Sequence, residues 1–144
     1  MFQTKEKILN QILKLKERNN EQEEKQFLEL IDQIHGHVDL ETARLLMKTI
    51  TNNPDYGTQE SVIGALSSAG DEIFIQSMLE ELPRLIEEAP EWVESLVGLE
   101  INKRGKLVEK ICADMPENIK KTLRELCSNS KFSDFYPAAK RIVI

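Results

Sequence analysis

Residues 71–100 read DEIFIQSMLEELPRLIEEAPEWVESLVGLE, and this stretch decides the fold class. Its apolar residues recur three and four positions apart, which is the spacing of one face of an α-helix. The series comprises Ile75, Met78, Leu79, Leu82, Leu85, Ile86 and Ala89. It continues through Pro83, so we predict either one helix kinked there or two helices that meet there. Pro90 is predicted to open a further helix, because a missing amide costs little at the first helical position.

The segments before this stretch have the same helical spacing and are separated by turn residues. Asn20 followed by Glu23 predicts a capping box, in which each side chain satisfies a free amide of the next helix. Gly36 and Gly70 stand where a left-handed residue would end a helix. These signals predict several short helices in the first half of the chain.

The segments after it are shorter. Residues 102–105 (NKRG) predict a turn, and residues 128–134 (SNSKFSD) predict a loop. The last piece, 132–143, is predicted to be helical but interrupted by Pro137. No useful length of the chain alternates with the period of two that a strand requires.

These patterns predict an all-α fold. We expect one domain, 1–144, of about eight or nine short antiparallel helices, because short connections make neighbours antiparallel. Helix pairs begin near residues 39, 71 and 105, which is close to the period of two-helix repeats. We therefore predict a HEAT-like stack of helical hairpins, with an irregular helical bundle as the alternative.

Composition limits the functional classes. Charged residues interrupt every apolar run at the start of the chain, so no signal peptide is expected. No stretch approaches the eighteen apolar residues of a membrane helix. Only two cysteines occur, where a secreted chain of this size would normally carry more. We therefore predict a cytoplasmic protein that does not bind membranes.

Charge is distributed unevenly. Residues 71–100 carry nine acidic side chains against the single base Arg84, whereas residues 101–144 carry ten basic and five acidic ones. Ordinary surface helices mix both signs, because like charges repel one another. An acidic helical face attracts a basic protein partner and repels nucleic acid. The alternative is a solvated face without a partner.

Few residues suggest chemistry. His35 and His37 flank a glycine, but a metal site needs further ligands, and histidines near a helix end commonly complement the helix dipole. Cys112 and Cys127 fall on apolar faces, where cysteine acts as a small hydrophobe. No phosphate-binding loop or metalloprotease motif occurs. We predict a protein that is not an enzyme, with no catalytic residues, no cofactor and no metal.

Trp92, the single tryptophan, has two interpretations. It can anchor the core beside Leu96 and Leu99, or it can lie half exposed among neighbouring carboxylates, which is typical of a binding hot spot. The second interpretation gives the candidate partner-binding residues. They are Asp55, Tyr56, Glu80, Glu87, Glu88, Glu91, Trp92 and Glu94.

The stretch 54–102 resembles the helical immunity proteins of bacterial polymorphic-toxin and contact-dependent inhibition systems. The resemblance rests on Tyr56-Gly57, Gln59-Glu60-Ser61, Leu82-Pro83, Ala89-Pro90-Glu91-Trp92 and Asn102. It implies a small cytoplasmic antitoxin that binds its cognate toxin and blocks the active site or substrate surface. Many such toxins are nucleases with basic clefts, which an acidic face complements. The family has no catalytic residues to carry over.

The function predicted from the sequence is thus inhibition of a cognate toxin with a basic surface, by occlusion. The alternative is a generic HEAT-like scaffold or adaptor without an inhibitory role. A small enzyme would require Cys112 or the two histidines to lie in a cleft beside carboxylates with shifted pKa values. The oligomeric state is not predicted.

Overall fold

A computed structural model describes residues 4–52 and 58–144 of the chain. Within these ranges the regular structure is helical and no strand occurs, so the all-α prediction is confirmed. The chain divides into two compact units, Met1–Phe74 and Ile75–Ile144. The expectation of one domain stays a prediction.

The described residues of the first unit form four helices and the start of a fifth. These are α1 (Lys5–Lys14), α2 (Glu21–Ile34), α3 (Leu40–Lys48), α4 (Thr58–Ser67) and α5 (Asp71–Glu80). Side-chain oxygens of Thr4, Asn20 and Asp39 cap α1, α2 and α3 by accepting a backbone N–H three residues ahead. Each cap satisfies one of the amides that the first turn of a helix leaves without a partner.

The predicted turn residues of this unit behave as the sequence indicates. Asn20 Oδ1 accepts the backbone N–H of Glu23 at 2.9 Å, which confirms the cap of α2. The Glu23 carboxylate accepts from Asn20 Nδ2 at 3.1 Å, so the second bond of the predicted box joins two side chains. Gly36 and Gly70 have φ values of +84° and +95°, the left-handed region that ends helices.

Packing in the first unit follows two hairpins. Helix α1 packs on α2 and α3 on α4, while α1 also contacts α3 and α2 also contacts α4. The fully buried side chains between them include Ile12, Phe27, Leu46, Met47 and Leu66. Two hairpins are too few to define a repeat, because solenoids need three or more units. The HEAT-like stack is therefore not confirmed.

The second unit continues from the end of α5 with shorter and less regular helices. They are α6 (Leu82–Glu88), α7 (Pro90–Val93), a π-helical turn (Glu94–Gly98), α8 (Leu99–Ala113), α9 (Glu117–Ser128), α10 (Ser130–Phe135) and a 3₁₀ helix (Pro137–Arg141). Helix α9 packs against α6, α8 and α10, and the 3₁₀ helix packs against α8. The core of this unit includes Leu79, Leu82, Leu85, Val97 and Leu123.

Two separate helices meet near Pro83. This is one of the two arrangements that the sequence predicted. Helix α5 ends at Glu80 and α6 begins at Leu82, with Glu81 between them at φ −95° and ψ 0°. Pro83 is the second residue of α6, where its missing amide has no partner to lose. The apolar stripe continues across the junction because both helices bury the same side.

One local prediction holds in part and one is wrong. The turn predicted at residues 102–105 corresponds to a kink inside α8 at Arg104, whose φ and ψ of −140° and 43° are not helical, so that two helical segments meet there. Residues 128–134 are not a loop, because α10 begins at Ser130. Asn129 Oδ1 caps it by accepting the Phe132 N–H at 3.0 Å.

Candidate partner-binding surface

The nine acidic side chains of residues 71–100 divide into an exposed and a half-buried group. Asp71, Glu72, Glu87, Glu88, Glu91 and Glu94 are exposed. Glu80, Glu81 and Glu100 are half buried. The division follows the apolar stripe, since a carboxylate next to the stripe is partly covered by the core that the stripe builds.

The half-buried carboxylates have partners within the protein. Glu81 Oε1 lies 3.0 Å from Arg84 Nε, and Glu100 Oε2 lies 2.8 Å from Arg104 Nη1. Glu80 accepts a hydrogen bond from Gln76 Nε2 at 2.8 Å. The protein's own arginines thus balance part of the acidic stretch, and these residues offer less charge to a partner than the sequence suggests.

Four exposed carboxylates of the second unit form what we call the acidic surface: Glu87, Glu88, Glu91 and Glu94. Within residues 4–52 and 58–144, no Lys or Arg side chain lies within ion-pair distance of Glu87, Glu88 or Glu94. Like charges that lie close together along the chain produce a local negative potential.

The backbone that carries these carboxylates is interrupted at Ala89 and changes from α to π geometry at Glu94. Ala89, fully buried at φ −142° and ψ 51°, separates α6 from α7. Pro90 opens α7, which lasts only four residues before the π-helical turn begins at Glu94. In a continuous α-helix residues 87, 91 and 94 would share one face, because they lie four and three positions apart. The break at Ala89 interrupts this register, so that Glu87 and Glu88 lie on α6, Glu91 lies on α7 and Glu94 begins the π-helical turn.

Trp92 lies within this surface and is half buried. Its neighbour Val93 is buried in the core, while Glu91 and Glu94 on either side of the pair are exposed. The Trp92 carbonyl accepts a hydrogen bond from Ser95 Oγ at 3.3 Å, inside the π-helical turn. The structure therefore places Trp92 between its two predicted environments, with part of the ring accessible to a partner.

A groove that the sequence did not reveal adjoins the acidic surface. It is a cavity of about 210 Å³ between α6 and α7 on one side and α9 and α10 on the other, and we call it the α6–α9 groove. Its lining consists of Ile86, Pro90, Val93, Glu94, Leu126, Asn129, Lys131 and Phe132. The sequence indicated only that Ile86 belongs to the apolar stripe. In the structure Ile86 is half buried, so part of its side chain remains open to the groove.

The remaining predicted site residues are placed as follows. Asp55 and Tyr56 lie outside the described residues. Glu80 lies on α5, with its carboxylate engaged by Gln76. Five of the predicted residues, namely Glu87, Glu88, Glu91, Trp92 and Glu94, lie on the successive elements α6, α7 and the π-helical turn. A role in binding stays a prediction for all eight.

The cysteines are wholly or partly covered by the core, and the histidines lie on another part of the chain. Cys112 is buried in α8 and Cys127 half buried in α9, both as free thiols. Burial raises the pKa of Cys112, and burial together with Cys112 raises the pKa of Cys127 to about 11. A thiol with a raised pKa is a poor nucleophile. His35 and His37 are exposed beside the end of α2.

Two further properties of the described residues are relevant to function. They contain no group of three or more His, Cys, Asp or Glu side chains that could hold a metal ion. None of their helices combines the length and apolar character needed to cross a bilayer.

Comparisons of the chain with protein-family models, with curated proteins and with solved structures found no match. The resemblance to helical immunity proteins therefore stays a prediction that rests on the sequence features given above.

Proposed function

We propose that this protein is an immunity protein, which binds a cognate toxin domain and occludes its active site or substrate surface. The observation that carries the proposal is the acidic surface, where four exposed carboxylates lie within five positions of the half-buried Trp92 along the chain. The resemblance of residues 54–102 to helical immunity proteins supplies the class of partner. The proposed protein acts in the cytoplasm, where its thiols remain reduced.

The acidic surface favours a partner with a basic face. Nuclease domains concentrate Lys and Arg side chains where they hold phosphates, and a negative protein surface complements such a cleft. Electrostatic steering of this kind raises association rates by about 10 to 10³-fold, and salt screens it. The same charge disfavours nucleic acid and anionic membranes as direct partners of this surface.

Trp92 supports the proposal from a second direction. Tryptophan is the residue most enriched at binding hot spots, because it buries a large apolar area while its indole N–H reaches a polar partner. A tryptophan surrounded by exposed carboxylates combines an anchor with a steering field. In the proposed complex the carboxylates pair with Lys and Arg of the toxin while Trp92 packs against its surface.

The test is a binding measurement between this protein and the toxin domain encoded beside it. We expect the combined variant Glu87→Gln, Glu88→Gln, Glu91→Gln and Glu94→Gln to associate at least tenfold more slowly at low salt. Stopped-flow fluorescence of Trp92 reports the association rate, and circular dichroism checks the fold. The difference between variant and wild type should disappear at high salt, where the Debye length is about 3 Å.

A matched control separates local charge from total charge. Glu6, Glu17, Glu29 and Asp32 are exposed carboxylates of the first unit, also without an ion pair within the described part of the chain. Their conversion to Gln or Asn changes the net charge equally and should leave the association rate within about twofold. Equal slowing by both variants would show that only the overall charge matters. An adjacent gene for a metabolic enzyme, with no toxin, would favour the adaptor function instead.

A further inference from the structure

We propose that the α6–α9 groove receives one apolar side chain, aromatic or leucine-sized, from a Lys/Arg-bearing segment of the partner protein. The inference rests on the proposed function and deepens it, because it names the contact that would fix a basic partner after steering. The groove lies in the second unit, beside the acidic surface, and Glu94 belongs to both.

The size of the groove suits a single side chain. An apolar cavity of about 150 Å³ is large enough to bind benzene, and the α6–α9 groove measures about 210 Å³. Drug-sized ligands and cofactors occupy pockets of about 300 to 1,000 Å³, so the groove is too small for them. One phenylalanine or leucine side chain is the occupant that its volume accommodates.

The lining of the groove is apolar at the bottom and polar at the edge. Val93 and Phe132 are buried to 4% and 3% exposure and form the floor, while Ile86 and Leu126 are half buried and form the walls. Each half-buried aliphatic side chain keeps apolar area in contact with water, which a bound apolar group would remove. Val93 and Phe132 are already packed in the core of the second unit, so these side chains do not need to rearrange on binding.

The lining of the groove carries one charge of each sign, Glu94 and Lys131, and this pair orients a basic occupant that the acidic surface attracts. Glu94 lines the groove, and Glu87 follows the wall residue Ile86 along α6. Neither carboxylate has an ion pair among the described residues, so each is available to a cation of the partner. Lys131 also lines the groove, on the α10 side, and repels further cations. The basic residues of the occupant should therefore lie toward Glu94.

This arrangement matches the anatomy of an interface hot spot. An apolar anchor enters a preformed pocket, and surrounding polar contacts exclude water from it. The charged rim provides steering and register, while burial of the anchor slows dissociation. The groove and the acidic surface would thus act in sequence on the same partner segment.

The experiment uses the full chain, labelled with ¹⁵N, and two lysine-rich peptides of equal length and charge as probes. One peptide has a central Phe and the other a central Ala. We expect the Phe peptide to bind about tenfold more tightly at low salt, because it buries one aromatic side chain. Its binding should shift the amide resonances of Ile86, Val93 and Phe132.

Two variants of equal chemistry provide the control. Ile86→Trp fills the groove and should reduce the preference for Phe over Ala to below twofold. Leu13→Trp makes a similar change on α1, at a side chain that is 49% exposed and lies outside the groove, and should leave the preference intact. The comparison of the two peptides on the wild-type chain is decisive even where a variant fails to fold.

The outcomes separate this inference from the proposed function. Equal affinity of the two peptides for the wild-type chain overturns the groove as an anchor site. If both peptides bind the wild-type chain equally and neither binds the fourfold Glu→Gln variant, the acidic surface retains its role and only the groove proposal fails. Resonance shifts confined to residues away from the groove likewise overturn it.

Discussion

Gly98 lies directly against the aromatic ring of Tyr136, so closely that the glycine cannot carry a side chain. A Cβ atom at Gly98 would lie 2.4 Å from Tyr136 Cε2 and 2.5 Å from Cδ2 and Cζ. Gly98 ends the π-helical turn, and Tyr136 joins α10 to the 3₁₀ helix. The ring also packs on Phe132, at 5.3 Å between centroids. Through this contact the segment that joins α10 to the 3₁₀ helix packs against the π-helical turn, which carries Glu94 of the acidic surface.

The substitution Gly98→Ala should therefore destabilise the protein. The new methyl group must displace a buried ring, and overpacking of this kind costs about 1 to 3 kcal/mol. The measurement is the free energy of unfolding from urea denaturation, followed by circular dichroism. In a Tyr136→Ala background the methyl group has room, so the same change should cost much less. An equal cost in both backgrounds would show that the ring is not the obstacle.

The substitution Gly64→Ala should have the opposite effect. Gly64 lies within α4, and among the described residues no atom outside the adjoining helix backbone lies within 4 Å of a Cβ atom built there. Alanine at an unobstructed helical position stabilises by about 0.5 to 1 kcal/mol, because it restricts the unfolded chain. Urea denaturation should show a higher midpoint than wild type. A lower midpoint would mean that the space beside Gly64 is occupied.

Asp39 links pH to the stability of the first unit. Its carboxylate accepts hydrogen bonds from Lys5 Nζ and from the Thr42 backbone N–H at 2.9 Å, and these bonds lower the pKa of Asp39 to about 2. Because the unfolded chain has the ordinary pKa of 3.8, the folded state binds this proton less readily. The contribution of Asp39 is therefore complete above about pH 4 and is lost as the pH falls toward 2.

Two substitutions at Asp39 separate its charge from its role as a helix cap. Asp39→Ala loses both and should lower the free energy of unfolding at pH 7 by about 1 kcal/mol. Asp39→Asn keeps a good cap and should lose less, since an ion pair with a side chain 55% exposed is worth little. Both variants should show a shallower fall in stability between pH 4 and 2. An unchanged slope for Asp39→Asn would contradict the assignment.

Cys127 should react slowly with alkylating reagents. A pKa of about 11, raised by burial, leaves about a hundredfold less thiolate at pH 8 than the ordinary value of 9.0. Mass spectrometry of the digested wild-type protein after iodoacetamide alkylation measures the rate at Cys127 separately from that at Cys112. The rate should keep rising with pH beyond 9 in the folded protein. The urea-unfolded protein is the control, and an equal rate in both states would contradict the burial of Cys127.

Much of the fold could be predicted because its signals are local. Asn20, Gly36 and Gly70 act on backbone groups within a few residues, and each does what its position in the sequence indicates. The helix boundary at Pro83 is local as well, because proline lacks an amide wherever it stands. Signals of this kind do not depend on the rest of the structure.

The kink within residues 102–105 follows a local signal, because these residues include a glycine and an asparagine and the helical geometry breaks at Arg104. Features that depend on contacts between distant residues were not predicted. The π-helical turn ends at Gly98, which contacts Tyr136, a residue 38 positions further along the chain. No inspection of neighbouring residues can reveal such a contact. The cap of α10 was predictable, because Asn129 precedes Ser130 as a strong N-cap residue.

The candidate site was predicted only in part for similar reasons. The pairs Glu81–Arg84 and Glu100–Arg104 have the spacings that place side chains together on a helix, so the sequence contained the signal for this neutralisation. The α6–α9 groove, in contrast, forms where helices distant in sequence fail to close over Ile86. Its existence depends on packing geometry that periodicity does not specify.

The π-helical turn determines how the protein responds to the deletion or insertion of a residue within it. Each residue of an α-helix advances the chain by about 100°, so an extra residue within one turn rotates everything that follows. Deleting one residue between Glu94 and Gly98 would restore ordinary helical geometry but would swing the side chains of α8 away from their present neighbours. The segment should tolerate substitution at its exposed positions far better than any shortening.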